Sequence, residues 1–325
     1  GLQSSLKMSK FFGAWTGDQL LSADFLGGKP LIDQFLYEHD NVILVGREKT
    51  NKSTLALQMM CHLTSGEPLF GEYEIPHPIY CVYLQTEGKI AGTRANFENM
   101  RKVIPNDPSR MLFCYHHAIP LDRKEGLDIL VKEIDDWGNK PSVLFIDPLY
   151  QSMTGDLTDQ QDSSAMTSSL RFLQGRYECS IFLIHHGHRF VRLKTGEIID
   201  EGDESLFGSF VWKAFPDTVL LIEKVKGYSK YRKLSCETQR MGNVVESLDL
   251  LLVEPSPFYL QIREGKPVDE LVLANINCDP VTVKDVVKLT GKSASYVQNS
   301  IYRLINIDKI KCLNPTSCPR QYVRK

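Results

Sequence analysis

The segment GREKTNKST, Gly46 to Thr54, has the residue types of a phosphate-binding loop with one change. The pattern G-x-x-x-x-G-K-[ST] is met by Gly46, Lys52 and Ser53, whereas Asn51 occupies the position of the second glycine. In such loops backbone N–H groups and the N-terminus of the next helix bind phosphates, the lysine neutralises charge and the hydroxyl binds Mg²⁺. Asparagine tolerates the left-handed backbone better than other non-glycine residues, so we expect Asn51 to preserve the loop.

Three further side chains with useful chemistry follow apolar runs. Glu87 ends IYCVYLQTE, Asp147 ends SVLFID and His186 ends SIFLIHH. An aspartate beside Ser53 can hold the water shell of Mg²⁺, and a glutamate can orient an attacking water. His185 precedes His186 in the same run, and one of these two histidines can contact a terminal phosphate. Each residue alone is more often an ordinary strand-end side chain, so the prediction rests on their order along the chain.

The apolar runs that carry these residues predict buried strands. NVILVG, IYCVYLQTE, SVLFID and SIFLIHH alternate with helical patterns, which is typical of a mostly parallel sheet with helices on both faces. The later runs TVLLIEKVKG, YRKLSCET and SLDLLLVEP lie close together, with turn residues between them. They predict antiparallel strands at the edge of the sheet. The predicted fold class is therefore α/β.

Length and composition limit the class of protein. A chain of 325 residues predicts about two domains at roughly 150 residues each. No apolar run approaches the ~20 residues of a membrane helix, and GLQSSLKMSKFF lacks the apolar stretch of a secretion signal. We therefore expect a cytoplasmic protein without a membrane partner. The eight cysteines are scattered without a C-x-x-C pair, which does not favour a metal site or disulfides.

The order of the motifs resembles that of RecA-like P-loop ATPases, most closely the RepA-type hexameric helicases and the AAA_25 group. The resemblance rests on HLTSGEPLFG, VYLQTE, FIDPLY, LIHH and GSFVWKAFPDTVLLIE, and it extends over roughly residues 20–255. It implies ATP and Mg²⁺ as ligands, with nucleotide-binding residues Gly46, Arg47, Glu48, Lys49, Thr50, Asn51, Lys52, Ser53 and Thr54. It implies that Ser53 and Asp147 bind the metal, and that the catalytic residues are Lys52, Glu87, Asp147 and His186.

The same resemblance implies assembly into a homo-oligomer such as a hexamer. Residues after the DTVLLIE strand would then reach the nucleotide of a neighbouring subunit, and the candidates are Lys224, Lys226 and Arg232. Each of them is equally well explained as an exposed strand charge. In such rings single-stranded DNA passes beside the loop GHRFVRLKTGE, whose candidate DNA-binding residues are Arg189, Arg192 and Lys194.

The end of the chain differs from the rest in charge. Residues 281–325 contain nine basic and two acidic residues, a net charge of +7, and the overall charge of −2 therefore leaves −9 for the rest. A helix, a turn at Gly291, a longer helix and a short basic hairpin are typical of a winged helix-turn-helix. This charge favours duplex DNA as the partner, although winged helices also dock proteins. The candidate DNA-binding residues here are Lys292, Ser295, Tyr296, Gln298, Asn299, Arg303 and Lys311.

These patterns predict four segments. Residues 1–40 pack on or lead into the core, 41–255 form the RecA-like ATPase domain, 256–280 form a linker and the first helix of the tail, and 281–325 form the winged helix. The predicted function is a DNA-associated ATPase, most specifically a RepA-type helicase. The alternative is an ATP-sensing DNA-binding or regulatory scaffold that binds ATP with little or no hydrolysis, because Asn51 and its charged neighbours depart from the usual loop.

Overall fold

A computed structural model of the chain describes residues 16–22, 28–187, 190–192, 198–200, 210–225, 227–240, 247–253, 258–262, 267–276, 279–292, 294–306, 309–315 and 319–325. The chain divides into two compact units. The first unit contains residues up to Val225 together with Arg232–Leu260, and the second contains Lys226–Tyr231 and Gln261–Lys325.

Helices and strands alternate through most of the first unit. The described helices are α1 (Gly17–Ser22), α2 (Lys52–Ser65), α3 (Ile90–Met100), α4 (Lys124–Trp137), α5 (Gln160–Tyr177), α6 (Phe210–Ala214), α7 (Pro267–Ala274), α8 (Val283–Thr290) and α9 (Ala294–Asn306). The described strands are β1 (Pro30–Ile32), β2 (Leu36–Tyr37), β3 (Asn41–Gly46), β4 (Cys81–Gln85), β5 (Met111–Tyr115), β6 (Val143–Asp147), β7 (Ser180–His186), β8 (Phe190–Arg192), β9 (Ile198–Asp200), β10 (Thr218–Lys224), β11 (Tyr231–Gln239), β12 (Leu248–Val253), β13 (Phe258–Ile262), β14 (Val281–Thr282), β15 (Ile310–Cys312) and β16 (Gln321–Arg324).

The main sheet has nine strands in the order β13-β12-β11-β10-β3-β7-β6-β4-β5. The neighbours from β10 to β5 are parallel, which requires the crossover helices that alternate with them along the chain. Strand β11 is antiparallel to β10, so the sheet changes direction at this edge. The prediction of a mostly parallel α/β sheet with antiparallel edge strands is confirmed.

Apolar side chains on both faces of this sheet are buried. On β3, Val42 and Leu44 belong to one core cluster, which also contains Leu55 and Met59 of α2. The intervening Ile43 and Val45 belong to the other cluster, which includes residues of α4 and α5. Successive strand side chains point to opposite faces, so a continuously apolar strand fits only a sheet covered on both sides.

Gly46 ends β3 where the chain passes very close to β10. A Cβ atom at this position would lie 2.5 Å from the backbone oxygen of Ile222 and 2.9 Å from its Cγ2. A side chain would therefore push the end of β3 away from β10, and glycine is required by this approach. The close contact fixes the point at which the loop after β3 begins.

Strand β13 lies within residues 256–280, where sequence analysis expects a linker and a helix. It is an edge strand of the main sheet, and its Tyr259 is 1% exposed. The prolines at 255 and 257 indicated a linker, but they precede the strand and so cost it no hydrogen bond. The helix of this range is α7 in the second unit.

The second unit contains α7, α8, α9 and the antiparallel sheet β14-β16-β15. Its core includes Val272 of α7, Val286 of α8 and Ile301 of α9. Ser300 links α9 to α7 by a 2.6 Å hydrogen bond to Asp269, and Thr282 begins α8 with a capping box to Asp285. The winged helix itself stays a prediction. No helix within the described ranges has the length and apolar character needed to span a membrane.

Candidate nucleotide-binding site

The loop between β3 and α2 has the backbone that its sequence predicts. Asn51 has φ 65° and ψ 41°, the left-handed conformation expected of the glycine that it replaces, and Lys49 also has a positive φ of 60°. Helix α2 begins directly at Lys52, so its unpaired N–H groups face the loop. Thr50 is buried and donates to Arg47 O at 2.9 Å, which closes the loop on itself.

Lys52 lies inside the loop rather than in solvent. Its Nζ donates to Gly46 O at 2.8 Å and to Arg47 O at 3.0 Å, and it lies 3.2 Å from Nδ1 of His186. Burial lowers the pKa of Lys52 to about 8, although the carboxylates of Asp147, Glu87 and Glu48 oppose the shift. An ammonium group with so little solvation gains strongly from a bound anion.

His186 ends β7 and connects Lys52 to Glu87. Because the lysine can only donate, the hydrogen-bond network assigns Nδ1 as the acceptor and leaves the proton on Nε2, 3.7 Å from Oε2 of Glu87. Burial and the nearby charge of Lys52 lower the pKa of His186, which favours this neutral form. Its neighbour His185 is buried on the opposite face of the strand, so His186 alone of the two faces the loop.

Asp147 ends β6 below the start of α2. Its Oδ2 accepts a 2.6 Å hydrogen bond from the hydroxyl of Tyr83, and Ser53 and Asp147 line the same cleft. Burial raises the pKa of Asp147, while the hydrogen bond from Tyr83 and the nearby side chains of Ser53, His186 and Lys52 oppose the shift. A carboxylate and a hydroxyl form an all-oxygen donor pair, which fits Mg²⁺, an ion that usually takes few protein ligands beside phosphates and water.

A cleft of about 370 Å³ opens beside these groups. Ser53, Glu87 and Asp147 line one part of it, and the residues Gly92, Thr93 and Asn96 of α3 line another. Glu87 does not end β4, as the sequence predicts, but follows it by two residues. Thr86 between them is held by a 2.9 Å hydrogen bond to Asp147 O, which places the carboxylate at the rim of the cleft with half of its side chain exposed.

Other candidates of the sequence analysis have different positions. The side chains of Arg47, Glu48 and Lys49 are exposed on the loop, and Lys224 is exposed at the end of β10. Arg232, expected to reach a neighbour's nucleotide, is 3% exposed and donates to Thr50 O and Asn51 Oδ1 of its own chain. A contact with a neighbouring subunit requires an exposed side chain, whereas Arg232 is buried against the loop of its own chain.

The DNA-binding candidates are described in part. Arg189 and Lys194 lie outside the described residues, and Arg192 is on β8 with its side chain outside them. Lys226, a candidate for the contact with a neighbour's nucleotide, also lies outside the described residues. On α9, Gln298 is half-buried, and the side chains of Ser295, Tyr296, Asn299 and Arg303 lie outside the described part. Lys311 is exposed on β15. Lys292 contacts the ring of Tyr228 at 4.4 Å and donates to Gly227 O, so it is partly engaged within its unit.

Two side chains around the loop, Tyr83 and Tyr259, were not predicted from the sequence, and a third, Arg232, was predicted for a different role. Tyr83 binds Asp147, and Arg232 and Tyr259 bind the loop backbone. Side chains on a strand alternate between its two faces, so Tyr83 and Gln85 of β4 lie on the same face. This alternation could have indicated Tyr83 from the sequence. Arg232 is 181 residues from Asn51 and Tyr259 is 209 residues from Thr50, so no local pattern links them.

The sheet order, the loop and the strand-end residues define a P-loop ATPase of the RecA-like fold. The chain belongs to the AAA_25 family, since a model of this family, described as an AAA domain, matches residues 16–189. No protein with a curated description matches the sequence.

Many solved structures are similar in fold, including the following two. One is described as an ATPase domain, with a TM-score of 0.52 and 8% identity over 70% of this chain and 86% of that chain. The other is a DnaB-like replicative helicase, in a structure that concerns its interactions with primase, with a TM-score of 0.54 and 9% identity over 76% of this chain and 66% of that chain.

The pKa of Lys52 predicts a pH dependence of nucleotide binding. Bound phosphates favour the protonated amine, so above about pH 8 binding must take up a proton. The affinity for Mg-ATP should then fall by up to about tenfold per pH unit. The measurement is calorimetry from pH 7 to 9.5. The pKa of His186 is lowered, so that group does not titrate in this range.

The control for this pH series is Lys52→Met, which lacks the titrating amine. Its weaker binding should be independent of pH over the same range. An equally steep slope in this variant would contradict the assignment of the proton to Lys52.

Proposed function

We propose that the chain binds Mg-ATP at Gly46–Thr54 and hydrolyses it, and that it acts on DNA as a motor of the RepA helicase type. The observation that supports this most strongly is the continuous contact from Lys52 through His186 to Glu87, at 3.2 Å and 3.7 Å. It joins a phosphate-binding cation to a carboxylate at the rim of the cleft. Such an arrangement suits in-line attack of water on a terminal phosphate.

Each residue has a distinct role in this proposal. Lys52 leaves the carbonyl oxygens of Gly46 and Arg47 and binds phosphate oxygens. Glu87 orients the attacking water and accepts its proton, and His186 donates from Nε2 to the phosphate or to Glu87. Ser53 and Asp147 would hold Mg²⁺, which when bound neutralises phosphate charge, and Tyr83 keeps the Asp147 carboxylate fixed by its 2.6 Å hydrogen bond.

Replacing these residues one at a time separates binding from hydrolysis. Lys52→Ala should weaken ATP binding by at least about tenfold, since it removes a charge-assisted contact. Glu87→Gln should preserve binding and reduce kcat by a factor on the order of 10² to 10⁴. The measurements are calorimetry and phosphate release, with and without DNA.

The matched control is Lys132→Ala, an exposed lysine on α4 paired with Asp136, which should change neither quantity. Unchanged ATP affinity in Lys52→Ala would refute the site. Tight binding by the wild type without phosphate release, even with DNA, would instead support the ATP-sensing regulatory scaffold.

We propose further that the chain forms a homo-oligomer in which Lys224 reaches the nucleotide of a neighbouring subunit. Lys224 is exposed at the end of β10, and Lys226 remains a second candidate. Arg232 is not proposed for this role, because it is buried against its own loop.

Subunit mixing tests this contact. Lys224→Ala and Glu87→Gln should each be nearly inactive, but a mixture should regain activity where one subunit supplies Glu87 and its neighbour supplies Lys224. Lys233→Ala, an exposed lysine on β11, is the control. Sedimentation with ATP and DNA should show species well above 37.0 kDa. Monomers under every condition would contradict both the assembly and the ring mechanism.

DNA binding is proposed for two surfaces. Duplex DNA binds the second unit, whose order of helices and strands suits a winged helix and whose residues 281–325 carry +7, from nine basic and two acidic residues. Single-stranded DNA binds the segment of the first unit that contains Arg189, Arg192 and Lys194.

The exposed cations on and beside β15 and β16 allow a test that preserves the core of the second unit. Lys309→Ala, Lys311→Ala and Arg324→Ala together should weaken duplex binding and flatten its salt dependence by about 0.9 per lost phosphate contact. Gln298→Ala should reduce sequence preference while leaving the salt slope unchanged. Fluorescence anisotropy across a salt series measures both. An unchanged slope in the triple variant would favour a protein-docking module.

A further inference from the structure

The residue that departs from the loop pattern has a specific partner. Asn51 precedes the first turn of α2, but its side chain makes no capping hydrogen bond to the helix. Instead its Oδ1 accepts a hydrogen bond from Nη2 of Arg232 at 3.0 Å. The side-chain amide of Asn51 therefore makes a hydrogen bond that glycine cannot make.

Arg232 binds the loop at a second point. Its Nε donates to Thr50 O at 3.1 Å, so the guanidinium contacts two successive residues of the loop with two of its nitrogens. The side chain is 3% exposed, and a guanidinium remains charged at every ordinary pH. The burial of such a charge is tolerated only when hydrogen-bond acceptors compensate it, so the orientation of the Arg232 guanidinium is tightly constrained.

Tyr259 adds a third contact from another strand. Its hydroxyl donates to Thr50 O at 2.8 Å, on the same carbonyl that accepts from Arg232. The backbone of Tyr259 is itself fixed by Gln58 of α2, which donates to Tyr259 O at 2.9 Å and accepts from Tyr259 N at 2.6 Å. The helix that follows the loop and the strand that contacts the loop are thereby joined.

We propose that Asn51, Arg232 and Tyr259 form a loop clamp that holds the phosphate-binding loop in its binding conformation, with Arg232 as a positioning residue in cis. The inference rests on the proposed binding of Mg-ATP at this loop. The two hydrogen bonds to Thr50 O would fix the orientation of this peptide group, and with it the N–H groups at the start of α2 that would bind an anion. The guanidinium adds a fixed positive charge beside Thr50 and Asn51.

The clamp changes the expectation for Asn51→Gly. Backbone preference alone predicts that this variant, which restores the usual loop sequence, binds ATP at least as well as the wild type. The clamp predicts weaker binding, because Nη2 of the buried Arg232 loses the hydrogen bond to Asn51 Oδ1 and the more flexible glycine is no longer tied to β11. The two explanations therefore predict opposite signs.

A double-mutant cycle measures the coupling between Asn51 and Arg232. Asn51→Gly and Arg232→Lys should each weaken Mg-ATP binding by about tenfold, because each removes a hydrogen bond of a buried charged group. The double variant should be no weaker than the weaker single variant, since both changes remove the same contact. Calorimetry gives the affinities, and Lys233→Met, an exposed neighbour on the same strand, should leave them unchanged.

Tyr259→Phe tests the clamp while both Asn51 and Arg232 remain in place. It removes only the hydroxyl that binds Thr50 O and should weaken ATP binding by a few-fold with the fold intact. Equal affinity of Tyr259→Phe and the wild type, or undiminished affinity in Asn51→Gly, would overturn the clamp. Additive effects in the double variant would overturn it as well.

Unfolding by urea of the same variants separates this inference from the proposed function. Coupling between Asn51 and Arg232 in both the ATP affinity and the free energy of unfolding supports the positioning role. Coupling in unfolding alone refutes that role and shows a purely structural contact. A wild-type protein that binds no ATP refutes the proposed function and the positioning role together, whereas a wild type that binds ATP without coupling refutes only the clamp.

Discussion

The parallel alignment of β3, β7, β6 and β4 is the constraint on which the candidate site depends. Gly46 pairs with His186 across β3 and β7, and Gln85 pairs with Asp147 across β4 and β6, so the strands end at the same edge. The carboxyl ends of parallel strands therefore present their last side chains to one space. A shift of one residue in any strand would turn its terminal side chain to the opposite face.

The candidate site contains buried ionisable groups, whose desolvation costs free energy in the folded chain. Burial opposes the charge of Lys52 and also that of Asp147, and the two charges compensate each other only in part. The hydrogen bond from Tyr83 to Asp147 and the hydrogen bonds from Lys52 to the loop carbonyls provide further compensation. A bound anion would compensate the poorly solvated charge of the lysine. Part of the free energy that this burial costs in the folded chain is then recovered on binding.

The sheet could be predicted from the sequence, and so could the positions of most residues of the candidate site, because both depend on short-range patterns. Continuous apolar runs indicated β3, β4, β6 and β7, and their final residues indicated Asp147 and His186. The cis contacts of Arg232 could not be predicted, because they join segments 181 residues apart through a fold that the local pattern does not specify. Strand β13 was missed because neighbouring prolines suggested a linker, whereas burial of Tyr259 against α2 and the loop stabilises the strand.

The contact between Asn51 and Arg232 also constrains the order in which these positions can change during evolution. A chain with glycine at position 51 leaves a buried guanidinium without one acceptor, and a chain that loses Arg232 first retains the left-handed asparagine without its partner. Each single replacement passes through a less favourable intermediate, so the two positions are expected to change together. Among relatives of this chain, asparagine at this loop position should therefore occur with arginine on the strand that corresponds to β11.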